Sequence, residues 1–174
     1  MPFTPFHLGP GLLFGLLLLR YIDFPTFLLA SVVVDIEPFL VLYLDLPYPL
    51  HGLFHYFLGG TLIAFLLAIV MRILRNALSP IMSFFRLEQR TSFKSILLAS
   101  FFGVYLHIIL DSRLYQDIRP FYPFDFNPLL SRSMFAGFEI YGLCTLTFIC
   151  GGIVYLVKLF YLRRPSKERH GVSK

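Results

Sequence analysis

Eight side chains in this polypeptide have the chemistry to bind a cation or move a proton: His7, Asp35, Glu37, His51, His55, His107, Asp111 and Glu139. They interrupt stretches made mostly of Leu, Phe, Ile, Val and Gly. An ionisable group in hydrocarbon costs about 2.5 kcal/mol or more on insertion scales, so several together need one another or a metal. Imidazoles and carboxylates drawn from separate segments form a ligand set for a borderline transition metal such as Zn²⁺ or Mn²⁺. His51 and His55 are four residues apart, which on a helix puts both rings on one face a turn apart, suited to one shared ion or two neighbouring ions. His107 and Asp111 repeat that spacing, with the carboxylate either a direct ligand or an orienting group for the imidazole. Asp35 and Glu37 have no Lys or Arg close in sequence. A protonated acid making a structural hydrogen bond is the plain alternative to a functional pair. For the histidines, the plain alternative is contact with water and headgroups at the membrane surface.

The elements that must carry these groups are apolar. Of 174 residues, 57% are hydrophobic and 14% charged, against about 25% charged in ordinary soluble domains. Five apolar segments, 5–20, 25–44, 51–74, 95–112 and 134–161, predict an all-α polytopic membrane bundle of about five helices. A short interfacial helix is expected to follow Ser79-Pro80 and run towards Lys94. Residues 1–162 make one transmembrane domain, and 163–174 form a basic, disordered cytoplasmic tail. The first run, with no Lys or Arg before it, does not read as a cleaved signal. Thr4-Pro5 opens that run as a cap and first-turn proline, and His7, Gly11 and Gly15 line one side. Pro38 should break or kink the second segment near the carbonyl of Val34. A kink also frees Asp35 and Glu37 from pointing about 200° apart, as they would on a straight helix. Cys144 and Cys150 read as packing residues.

Basic residues orient the chain. Arg72, Arg75, Arg86, Arg90 and Lys94 place the third-to-fourth connection in the cytoplasm, as Arg163, Arg164, Lys167 and Arg169 place the C-terminus. The N-terminus then lies outside, and His7, His51, His55, His107, Asp111 and Glu139 converge towards the outer side, with Asp35 and Glu37 midway to outer. The formal charge of +5 reflects topology and anionic lipid, with no nucleic-acid stripe. Glu139 reads more simply as a carboxylate reaching the outer headgroups. Tyr115, Tyr122 and the Phe-rich stretch of loop 113–133 read as an aromatic belt.

Four motifs in order resemble the predicted membrane-bound metal-dependent hydrolases of bacteria and archaea. They are Thr4-Pro5-Phe6-His7 with Gly9 and Gly11, Asp35-Ile36-Glu37, His51-Gly52 to His55, and His107 to Asp111 with Pro120-Phe121 beyond. The resemblance covers roughly residues 1–125. It departs at the third motif, where the family has an Arg between the His and Gly and a Ser after the second His; here Gly52 follows His51 directly and Tyr56 follows His55. That family is distantly similar to zinc-dependent phospholipase C and P1-type nucleases, which implies a phosphoester or lipid-headgroup substrate. The expected site has His7, Asp35, His51, His55, His107 and Asp111 holding one or two Zn²⁺ or Mn²⁺ ions. Asp35 is preferred as ligand and Glu37 as catalytic base, or the reverse, with Arg119 neutralising a phosphate. A metal-binding or transport protein without catalysis, a bis-histidine haem protein and a purely structural membrane protein are the competing classes.

Overall fold

A computed structural model describes residues 5–163, and every regular element among them is helical. The Thr4 cap and the tail from 164 onward lie outside the described residues. Six α-helices follow in order: α1 (Leu8–Leu17), α2 (Phe24–Ala30), α3 (Ile36–Tyr43), α4 (Phe57–Phe84), α5 (Phe93–Ser112) and α6 (Ala136–Arg163). Short 3₁₀ turns at Pro5–His7, Val33–Asp35 and Leu53–His55 precede α1, α3 and α4. Four stretches are long and apolar enough to cross a membrane: Phe24–Tyr43, Phe57–Phe84, Phe93–Ser112 and Ala136–Leu162. Pro5–Leu17 is a shorter apolar helix.

The second segment is broken, and the break begins about two turns before Pro38. Helix α2 starts at the Asp23 cap, whose carboxylate accepts from the Thr26 amide and hydroxyl. It stops at Ser31, and the chain restarts in the 3₁₀ turn that holds Asp35. Pro38 then occupies the first turn of α3, where its missing N–H deprives no helical carbonyl of a partner.

Close packing follows the small residues. A methyl group on Gly9 would lie 2.1 Å from the Cys144 carbonyl oxygen of α6. On Gly103 it would lie 2.4 Å from Ala30 of α2. Glycine at these two positions lets backbones approach in a way no side chain would permit. Between α4 and α5, Ala64, Val104 and Ile108 form a core with Ala30 and Val34. The Ser100 hydroxyl donates to the Ala64 carbonyl across the same interface.

Two expectations about α4 are corrected. His51 and His55 are not on its first turn, because the helix begins only at Phe57 and His55 closes a 3₁₀ turn. No separate interfacial helix starts at Ser79-Pro80. Helix α4 runs through Pro80 to Phe84, because Met82 is buried with Leu16, Phe24 and Leu87. That packing offsets the roughly 3 kcal/mol cost of an internal proline, and the Asn76 carbonyl left without a donor belongs to an exposed residue. The helix ends where Arg86 takes φ 55°. The Leu87 amide donates to Met82 and the Arg86 amide to Ser83, the paired bonds of a Schellman cap with arginine in the place usually taken by glycine.

Candidate metal centre

Helix α5 contributes the pair spaced one turn apart. His107 is fixed by a partner that the helix break creates. The Ser31 carbonyl, at the end of α2, accepts from His107 Nδ1 at 2.8 Å. A donor at Nδ1 leaves the lone pair on Nε2, the atom free to ligate. Asp111 spreads its two oxygens: Oδ1 accepts from His7 Nε2 at 2.9 Å, while Oδ2 lies 3.3 Å from His107 Nε2 and 3.9 Å from His55 Nε2. Asp35 enters from its 3₁₀ turn with Oδ1 3.5 Å from His107 Nε2.

His55 is held by the same logic from another side. Its Nδ1 donates to Glu37 Oε2 at 3.1 Å, and that oxygen also accepts from the amides of Gly52 and Phe54 at 3.1 and 3.0 Å. One carboxylate therefore shapes the 52–55 turn and sets the tautomer of its histidine, leaving Nε2 as the ligand atom. Full burial of His55 favours the neutral ring that a ligand must have.

Asp35, His55, His107 and Asp111 each present one ligand atom, and all four atoms lie within 4.8 Å of one another. All four residues are at most 3% exposed. Ligands about 2.1 Å from a tetrahedral ion sit about 3.4 Å apart; the 3.3, 3.5 and 3.9 Å separations fall around that value. His55 Nε2, His107 Nε2 and Asp35 Oδ2 are buried with no hydrogen-bond partner. Unpartnered buried polar atoms are rare because each forfeits its solvation. Three within one group of ligands fit a divalent cation: two aspartates supply its counter-charge and the imidazoles their lone pairs.

The remaining expected residues have definite places. His7 packs against His107 with ring centroids 4.1 Å apart and the rings tilted by 35°, and it supports Asp111. His51 lies beside the four, its ring edge-on to His55 at 4.7 Å and packed against Tyr115 at 4.4 Å. Its Nδ1 donates to Asp117 Oδ2 at 2.8 Å. Glu37 sits behind His55, outside the group of four. Arg119 is half-exposed and pairs with Asp125 at 2.9 Å. Both line a cavity of about 270 Å³ together with Tyr56, Gln116 and Asp117. Glu139 is exposed on the first turn of α6, 3.4 Å from the Ser133 hydroxyl. Cys144 and Cys150 are free thiols.

Sequence reasoning missed Asp117 and the Ser31 carbonyl. Asp117 lies in an arginine-rich loop with no periodicity to mark it, and a backbone carbonyl carries no residue signature at all. Tyr115, read as part of an aromatic belt, packs instead on His51. Its phenol is pushed up by burial and by a hydrogen bond with Tyr141. No family model, curated protein or solved structure matches the chain.

Proposed function

We propose that this protein is a membrane-embedded metallohydrolase that binds one or two Zn²⁺ or Mn²⁺ ions and cleaves a phosphoester or lipid headgroup at the outer leaflet. The observation that carries the reading is the set of buried atoms on Asp35, His55, His107 and Asp111, three of whose polar atoms lack any partner. A bound divalent ion would supply an acidified water and a Lewis acid for the scissile oxygen. Asp35, His55, His107 and Asp111 hold it; His7 and Glu37 fix Asp111 and His55. In this reading Glu37 orients a ligand instead of serving as base, because its Oε2 already accepts three N–H groups. The cavity beside Asp117 and Arg119 adjoins the His51 side of the cluster, and its charged lining is Arg119, paired with Asp125, and Asp117. The charge asymmetry that puts Arg72 to Lys94 on the cytoplasmic side supports an outward-facing cluster. The resemblance to the predicted membrane-bound hydrolases, and through them to phospholipase C and P1-type nucleases, supports the reaction class.

A second reading has its own support. Four protein ligands complete a tetrahedral shell, as in structural zinc sites, whereas catalytic zinc keeps a position open. A metal-binding or transport protein without hydrolytic activity would use the same residues. The deciding experiment purifies the full chain without chelators and measures metal content, then hydrolysis of phospholipid vesicles and of bis(p-nitrophenyl) phosphate. Bound metal with turnover lost in His55→Ala supports the hydrolase. Bound metal with no turnover on either substrate supports the second reading, and absence of metal removes both.

A further inference from the structure

At the other end of α4 lies a second polar site that the proposed chemistry does not use. Arg72, Arg75, Asn76 and Ser79 recur at i, i+3, i+4 and i+7, so they form one stripe along the helix. Together with Glu88, Gln89 and Thr91 from the following loop they line a cavity of about 210 Å³. Counting along the helix from Phe57, Arg75 is about 27 Å from the metal-centre end, close to the thickness of a bilayer core.

The loop is locked in place by its own bonds. Gln89 donates to the carbonyls of Leu19 and Ile22 and accepts from the Phe24 amide. Arg75 Nε donates to the buried Asp23 at 2.7 Å and to Thr91 at 3.1 Å. Those bonds aim and immobilise a guanidinium that is only 11% exposed. Its two terminal nitrogens have no acceptor among the described residues, and neither Arg72 nor the Asn76 amide has a partner there. A rigid, largely buried guanidinium with donors to spare beside a second arginine is a receptor for phosphate oxygens.

Charge narrows the occupant. Asp23 pairs with Arg75, and the same cavity is lined by Arg72 and by Glu88, whose Oε1 accepts from the Ser83 hydroxyl at 2.6 Å, so the charges are equal in number. A neutral cavity with separated cationic and anionic walls suits a zwitterion better than a bare anion. At the end of α4 and the start of α5, Ile81, Phe84, Phe85 and Phe93 are exposed apolar surface.

We propose that this cavity binds the headgroup of a zwitterionic aminophospholipid, with phosphate on Arg72, Arg75 and Asn76 and the ammonium towards Glu88. The test is native mass spectrometry of the full chain in an uncharged detergent, titrated separately with dioctanoyl phosphatidylethanolamine, dioctanoyl phosphatidylglycerol and inorganic phosphate. Phosphatidylethanolamine is expected to bind most tightly. Arg72→Gln should weaken it about tenfold, the effect of one lost charged hydrogen bond. Asn76→Ala should weaken it as well, and because both side chains are exposed one variant can stand in for the other. Arg90→Gln removes the same charge outside the cavity and should leave binding unchanged, whereas Glu88→Gln should weaken phosphatidylethanolamine alone. Equal or tighter binding of phosphatidylglycerol or inorganic phosphate would overturn the zwitterion assignment. Equal losses in Arg72→Gln and Arg90→Gln, or no loss in Arg72→Gln and Asn76→Ala, would overturn the site.

Discussion

Replacing Glu37 with Gln separates its two candidate roles, because only one of them predicts a loss of metal affinity. In the folded protein Oε2 of Glu37 accepts from the Gly52 and Phe54 amides and from His55 Nδ1. Hydrogen bonds to a charged group contribute about 1.5–3 kcal/mol, against about 1 kcal/mol for neutral pairs. Glutamine keeps an acceptor oxygen but loses the charge, so each of the three bonds weakens. The His55 ring also loses the carboxylate that raises the basicity of its Nε2. Loss of such an orienting partner typically lowers metal affinity about 10–100-fold. The assay is competition for Zn²⁺ between the purified protein and a fluorescent chelator, with helical content followed by circular dichroism at 222 nm. A base acting only on the metal's water would instead leave affinity near that of the parent and abolish turnover. Unchanged zinc affinity in a folded Glu37→Gln protein would refute the orienting role.

Asp111→Asn should lose bound metal almost entirely, since it removes one ligand charge and leaves a single acceptor oxygen where two now serve His7 and the cluster; metal analysis after gel filtration checks this. Chelator treatment of metal-loaded protein should lower its melting temperature, and the same treatment of Asp111→Asn should have little effect. Gly9→Ala should destabilise by about 1–3 kcal/mol, the range for overpacking, because the added methyl meets the Cys144 carbonyl. Its thermal melt should be lower, and its zinc affinity reduced, because His7 sits two residues away. Arg86→Gly should stabilise by about 1 kcal/mol by relieving the left-handed conformation; a higher melting temperature in detergent is the expected result.

Much of the architecture was legible because bilayer physics leaves few options. Runs of about 20 apolar residues must become helices that satisfy their own backbone. Pro38 announced a broken segment, and the small residues of the first run marked where another helix comes close. The broken backbone proved to lie at Ser31, about one turn before the expected Val34, because Pro38 is accommodated in the first turn of the new helix. Pro80 misled for a related reason: local propensity argues for a new helix start, while the burial of Met82 pulls the old helix onward. The end at Phe84 had no glycine to announce it.

At the site, residue type and spacing were enough to nominate His7, Asp35, His51, His55, His107 and Asp111, because charge in an apolar run demands a partner wherever it occurs. Residue type could not assign their roles. Which nitrogen of each imidazole carries the proton depends on the Ser31 carbonyl and on Glu37, and both reach their histidines through chain reversals invisible to periodicity. Likewise, His51 and His55 meet through an irregular turn and not along a helix face. The demand for compensated charge is a property of composition, and so it was readable from the chain alone. Deciding which atom compensates which required the fold, because contacts between residues 31, 37, 55 and 107 depend on distances of a few ångströms that no linear spacing encodes.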